Sequence, residues 1–209
     1  TATVKQIVID TWKKHSRIVF NGNGYTDEWV KEAVKRGLPN LTSSVEAWPY
    51  FGKEDSVRIF TKHQVFTKEE IHARLDIVLE KYSKQINIEA GVAYEMATRE
   101  ILPACSDYAV ELAAQIQTLE ASGVKSESLK RKLTDIMHMV EEASKIADKL
   151  DADRKSVKSV ADPLAQAKAC RDTVFADMEA IRAPIDRLEK LLPKDYWPMP
   201  TYEELLFRL

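Results

Sequence analysis

Disulfides cannot be what holds this chain together. Its 209 residues contain two cysteines, Cys105 and Cys170, too few for a disulfide framework. Both fall inside helical apolar patterns, which predicts buried free thiols. Six glycines and eight prolines exclude a linker-like or collagen-like polymer. No run of 18 apolar residues occurs, so no helix is expected to span a membrane. Neither sign of charge dominates: 31 Lys and Arg against 33 Asp and Glu leave a net charge of −2, with no global pull towards nucleic acid or an anionic membrane. The basic residues are spread among acidic ones and form no stripe with aromatics, so no nucleic-acid partner is expected. The phosphate-binding glycine motifs are missing too. After Gly22 and Gly24 the third glycine's place is taken by Asp27, and Asn21 to Gly24 reads as a structural turn. Asn40-Leu41-Thr42 is a glycosylation sequon by letter only; the chain reads as cytoplasmic.

What the chain does have is periodicity. From Thr67 to about Leu119, apolar residues repeat every eleven positions: Ile71, Leu75, Leu79; Tyr82, Ile86, Ala90; Ala93, Ala97, Ile101; Ala104, Tyr108, Leu112. Eleven residues in three turns make one nearly straight stripe on a helix. Some 50 residues of helix would be roughly 75 Å long, so other long helices must cover it. Thr67 with Glu70 has capping-box spacing at its start, and Gly123 ends it. Pro103 sits inside the stripe and crowds the carbonyl of Arg99. Because the stripe passes from Ile101 to Ala104 in phase, a kinked continuous helix is expected rather than a restart.

The partners follow. Leu129, Leu133, Ile136, Val140, Ala143, Ala147 and Leu150 form a heptad seam, starting near Ser126 or Ser128. A third run places Val160, Leu164, Ala167, Val174, Met178, Ile181, Ile185 and Leu188 inward. Asp162-Pro163 can bend it or start a new helix, and Pro184 is expected to kink it. An eleven-residue stripe facing a heptad seam should drift out of register, a drift that Pro103 could correct. The predicted fold class is all-α: a long antiparallel helical hairpin in a three-helix bundle (67–194), after a short-helix segment (1–66) and before a docking tail (195–209) with a short helix capped by Thr201 and Glu204.

Residues 1–66 look like a piece packed against something larger. Residues 1–16 suggest a helix with Val4, Ile7 or Val8, and with them Ile9 and Trp12, on one side; starting within an apolar pattern, it is expected to continue upstream. Arg17 to Phe20 can form a short strand. A helix over 26–36 ends at Gly37, and a shorter one from Ser43 or Ser44 is expected to stop at Pro49.

Catalytic constellations are sparse. A carboxylate-bridged di-metal bundle needs Glu-x-x-His on two helices and a glutamate on each of two more. Glu69 before His72 and Asp135 before His138 offer the spacing, but Glu69 lies in a first turn and neither histidine is on an apolar stripe. Solvated surface histidines are the simpler reading. Neither cysteine has a context that would activate it, and the methionines read as filling. No catalytic, cofactor-binding or metal-ligating residue is assigned. On the residues alone this is a helical interaction module, free-standing or part of a larger protein.

Several stretches carry a family resemblance. They include Ile18 to Tyr25 followed by Glu28-Trp29-Val30, Arg36 to Leu41, and Val65-Phe66-Thr67 leading to Glu70 to Arg74. Tyr82 to Ala90, Ile101 to Ala104, and the tail Tyr196 to Tyr202 with Leu205-Leu206-Phe207 belong with them. Together they resemble the C-terminal part of type III glutamine synthetases. The resemblance implies a cytoplasmic bacterial enzyme that makes glutamine from glutamate, ammonia and ATP with Mg or Mn, its catalytic motifs lying upstream of Thr1. Residues 1–66 would then be the tail of the catalytic domain, whose remainder would be their partner. The helical region would support the subunit or a homo-oligomer, and would itself hold no cofactor.

Overall fold

The computed structural model describes residues 2–207. Two compact units emerge, Thr1–Ser44 and Val45–Leu209, so segment 45–66, grouped above with the N-terminal piece, packs with the long helices. Among the described residues every regular element is helical. The all-α expectation holds.

In the first unit, helix α1 (Ala2–His15) leaves Val4, Ile7, Val8 and Trp12 each 60% or more exposed. The short strand expected at Arg17 to Phe20 does not form: Ser16–Ile18 is a 3-10 turn and Val19-Phe20 has no regular structure. An extended segment needs a neighbouring strand for its backbone hydrogen bonds, and no second strand exists among the described residues. Phe20 instead packs its ring 4.5 Å from that of Trp29 on helix α2 (Asp27–Lys35). Gly37, at φ +75°, closes α2 as expected, with its N–H donating to Val34 and that of Leu38 to Ala33, a Schellman motif that needs a left-handed residue.

The second unit begins with α3 (Ser44–Phe51), and here Pro49 corrects the expectation, since the helix runs through it. One intrahelical bond is lost, but Val45 and Trp48 are held in a core cluster with Leu79, Leu75 and Leu164, and that packing keeps the turn. Helix α4 (Glu54–Lys62) contributes Phe60 to a ring cluster with Phe51 and Phe66.

Thr67 then opens the long helix with the expected reciprocal cap. Glu70 N–H donates to its hydroxyl at 3.2 Å, and Thr67 N–H to the Glu70 carboxylate at 2.8 Å. The helix runs as α5 (Lys68–Met96), a π turn (Ala97–Ile101) and α6 (Leu102–Ala121) without a break. Its length is about 80 Å at ~1.5 Å per residue. All twelve stripe residues are buried or half-buried. The π turn explains how they stay aligned. An ideal helix overshoots three turns by roughly 20° in each eleven residues, a rotation that would accumulate over successive repeats. One wide turn, in which Leu102 N–H reaches back to Ala97, sets the phase back. It also opens the helix where the Pro103 ring would crowd Arg99. Downstream, Leu102, Cys105, Ala109, Leu112 and Ile116 are buried, spaced by threes and fours like the seam they face.

The end of α6 repeats the Schellman pattern: Gly123 at φ +78°, its N–H on Glu120, and that of Val124 on Leu119. Helix α7 (Glu127–Ser156) returns as the second arm of the hairpin. Asn87 donates to the Arg154 carbonyl at 2.7 Å, which fixes the antiparallel register. Asp162 caps α8 (Pro163–Ala169) by accepting from Ala165 N–H at 2.7 Å, so the Asp-Pro pair does start a new helix. A second π turn (Cys170–Phe175) links it to α9 (Ala176–Leu191). Pro184 lies within α9 with its side chain fully buried. Every residue assigned to the two later seams is buried or half-buried.

Candidate interaction surfaces

The tail is positioned by chemistry on the hairpin. Tyr196 sets its ring 4.9 Å from that of Tyr108, whose hydroxyl accepts from Lys132 of α7 at 2.9 Å. Trp197 and Met199 pack on the same core as Leu102, Leu112 and Leu188. Thr201 and Glu204 form the expected reciprocal cap of helix α10 (Tyr202–Phe207). The docking expected of the tail is therefore onto its own bundle, while Leu205 and Phe207 remain 66% and 78% exposed.

Between the first π turn, α9 and this tail lies an apolar groove of about 450 Å³. Met96, Ala97, Ile101, Met178, Ile181 and Trp197 line it, with Glu179, Asp186 and Glu189 at its polar positions. Arg182 also lines it, 3.9 Å from Asp186; the groove's size suits a small molecule, but no Ser, Thr, Cys, His or Lys side chain is among its described lining residues.

The bundle's buried charge is at the contact of α7 and α9. Lys149 spans two acids, 2.6 Å from Asp177 and 2.8 Å from Asp153. Asp177 is almost fully buried, and burial raises its carboxyl above the usual range, with Lys149 opposing. Asp153 is lowered, chiefly by its bond from Lys149. The cluster ties two helices together. A separate ion pair joins Arg171 to Glu46 at 3.0 Å and fastens α3 to the second π turn.

The weighed metal pairs are not brought together. His72 and His138 are exposed, and the described residues hold no group of three His, Cys, Asp or Glu side chains able to bind a metal. Cys105 and Cys170 are both buried and free, as expected. Burial pushes the Cys105 thiol up to about 11, so it is neutral and unreactive at pH 7. No helix among the described residues is long and apolar enough to cross a membrane.

A known family matches residues 3–120: the glutamine synthetase C-terminal domain. The chain belongs to that family. The resemblance carried by the sequence blocks is thereby borne out. A glutamine synthetase of Butyrivibrio fibrisolvens is 38% identical over 209 residues, covering 99% of this chain. A type-3 glutamine synthetase of Dictyostelium discoideum is 28% identical over 97% of it, and a glutamine synthetase of Bacteroides fragilis is 31% identical over 91%. The chain spans only 30%, 28% and 27% of those relatives' lengths. The match reaches past the helical bundle into α1 and α2, which places both units within the family.

Proposed function

We propose that this chain is the non-catalytic C-terminal helical region of a cytoplasmic type III glutamine synthetase. Its role is to support the structure of the subunit and the assembly of a homo-oligomer. ATP-dependent joining of ammonia to glutamate, with ATP and Mg or Mn, belongs to the longer protein, and residues 1–66 dock against the remainder of its catalytic domain. The observation that carries this reading is the thin first unit: over residues 3–44 the one buried side chain is Ala33. Its exposed Ile7, Val8, Trp12, Ile18 and Val19 line an apolar groove of about 370 Å³. Such a surface is a half-interface in need of a partner.

Two assays test it. The 209-residue chain alone should form no glutamine from glutamate, ammonia and ATP; measurable turnover would overturn the reading. Mixed with the separately produced upstream part, it should form a stable complex that loses affinity when Trp12→Asp is introduced. Binding unaffected by that change would place the contact elsewhere.

A further inference from the structure

The long helix carries a second stripe, on the side facing solvent. Ile77, Ile88 and Val110 stand at the same place in successive eleven-residue repeats, with Arg99 completing the set; Val92, Pro103 and Ala114 form the row beside it. In eleven-residue phase these rows lie opposite the core stripe. All seven residues are exposed, with Ile77 and Ile88 at 63%, Val92 at 51% and Val110 at 70%. Scattered single apolar residues need no explanation. Four large ones in phase along one face do.

We propose that this outer face pairs with the same face of a second copy, antiparallel, about a two-fold axis level with Ala93 and Tyr94. Three observations select a second copy. The first is period: the other long seams of the bundle are heptads, and a heptad partner drifts against an eleven-residue stripe, whereas an identical stripe stays aligned along its whole length. The second is charge. The register that sets Ile77 against Val110 of the second copy also sets Lys81 beside Asp107, twice by symmetry, and brings Arg99 alongside Ile88, where its stem covers apolar surface. Lys81 lies beside this face near one end and Asp107 near the other, so in-register parallel pairing would set Lys81 against Lys81 and Asp107 against Asp107. The third is area. A face about 50 Å long and ~10 Å wide gives roughly 500 Å² per copy, or ~1,000 Å² in all, at the lower end of a specific interface. Pairing of isolated chains is therefore weak, and the same contact repeated in an assembly adds up.

This inference deepens the assembly role proposed above and rests on that reading for its purpose; the pairing itself is measured directly. The experiment is sedimentation of the 209-residue chain and of the longer synthetase. The chain should dimerise at tens of micromolar. Lys81→Glu and Asp107→Lys should each weaken the dimer by about tenfold, and the double reversal should restore it. Ile88→Asp should leave the chain monomeric with unchanged helix content. A chain that stays monomeric at millimolar concentration overturns the pairing, as does dimerisation indifferent to the charge swap. Catalytic activity separates the two readings. A longer protein that makes glutamine and keeps its assembly with Ile88→Asp refutes this interface alone. A charge-swap-sensitive dimer in a protein that makes no glutamine refutes the proposed function alone.

Discussion

At the scale of single residues, most of the information lies in what is buried without a chemical task. Cys105 and Cys170 are the clearest case. Both thiols should resist a disulfide reagent in the native chain and react together on unfolding; fast labelling of either at pH 7 would mean the core is open. Asp177 makes a sharper case. Burial holds its carboxyl above the ordinary range, while the unfolded chain keeps it near that range, so folding takes up a proton. Its contribution to stability therefore falls as pH rises from the ordinary carboxylate value through the raised one. Asp177→Asn keeps the shape and an acceptor for Lys149 without the buried charge. Urea midpoints of this variant should match the parent's in acid and exceed them at pH 7 to 8. A constant difference across pH would show that folding leaves the titration of Asp177 unchanged. Gly123 is simpler, because a Cβ there meets nothing within 4 Å and only the +78° φ opposes a side chain. Gly123→Ala should lower stability by about 1 kcal/mol, seen in thermal or urea unfolding.

The elements show where local signals suffice. Reciprocal caps at Thr67 and Thr201, the Asp162-Pro163 start and the two glycine-closed helix ends each depend on a few neighbouring residues, and each was legible in the sequence. Proline was harder. Pro49 sits within a helix because Val45 and Trp48 are held from outside, and no window around residue 49 contains that information. Pro103 was read as kinking a continuous helix; the helix is continuous, and the π turn just upstream was not foreseen. The extra residue in that turn keeps the stripe in phase, so deleting Thr98 should rotate one half of the long helix against the other. A loss of about 3 kcal/mol or more is expected, comparable with Leu112→Ala at roughly 2–5 kcal/mol. A deletion that unfolds at the parent's midpoint would remove the phase argument. The second π turn, at Cys170–Phe175, has no proline beside it and left no trace in the sequence reading.

For the whole molecule, the two units differ in how much they bury. The bundle has core clusters along its length, while the first unit buries Ala33 and little else. Native-state hydrogen exchange of the 209-residue chain should therefore show residues 3–40 exchanging fastest, with slow amides in α6, α7 and α9. Docking of the upstream catalytic part should protect the first unit selectively. Slow exchange in α1 of the isolated chain would show that the unit needs no partner.

By itself the sequence determined the helices, their inward faces and the family, because helical periodicity, caps and block resemblance are carried by residues close together in the chain. It also determined that Cys105 and Cys170 are interior, since both fall in phase with apolar neighbours. Tertiary structure decided the rest. That Arg17 to Phe20 forms no strand depends on there being no second strand among the described residues to pair with. That the tail covers its own bundle depends on Tyr196 meeting Tyr108, itself held by Lys132, across distant parts of the chain. The outer stripe belongs to both: its period is written in the sequence, but its exposure exists only once the opposite face has been covered.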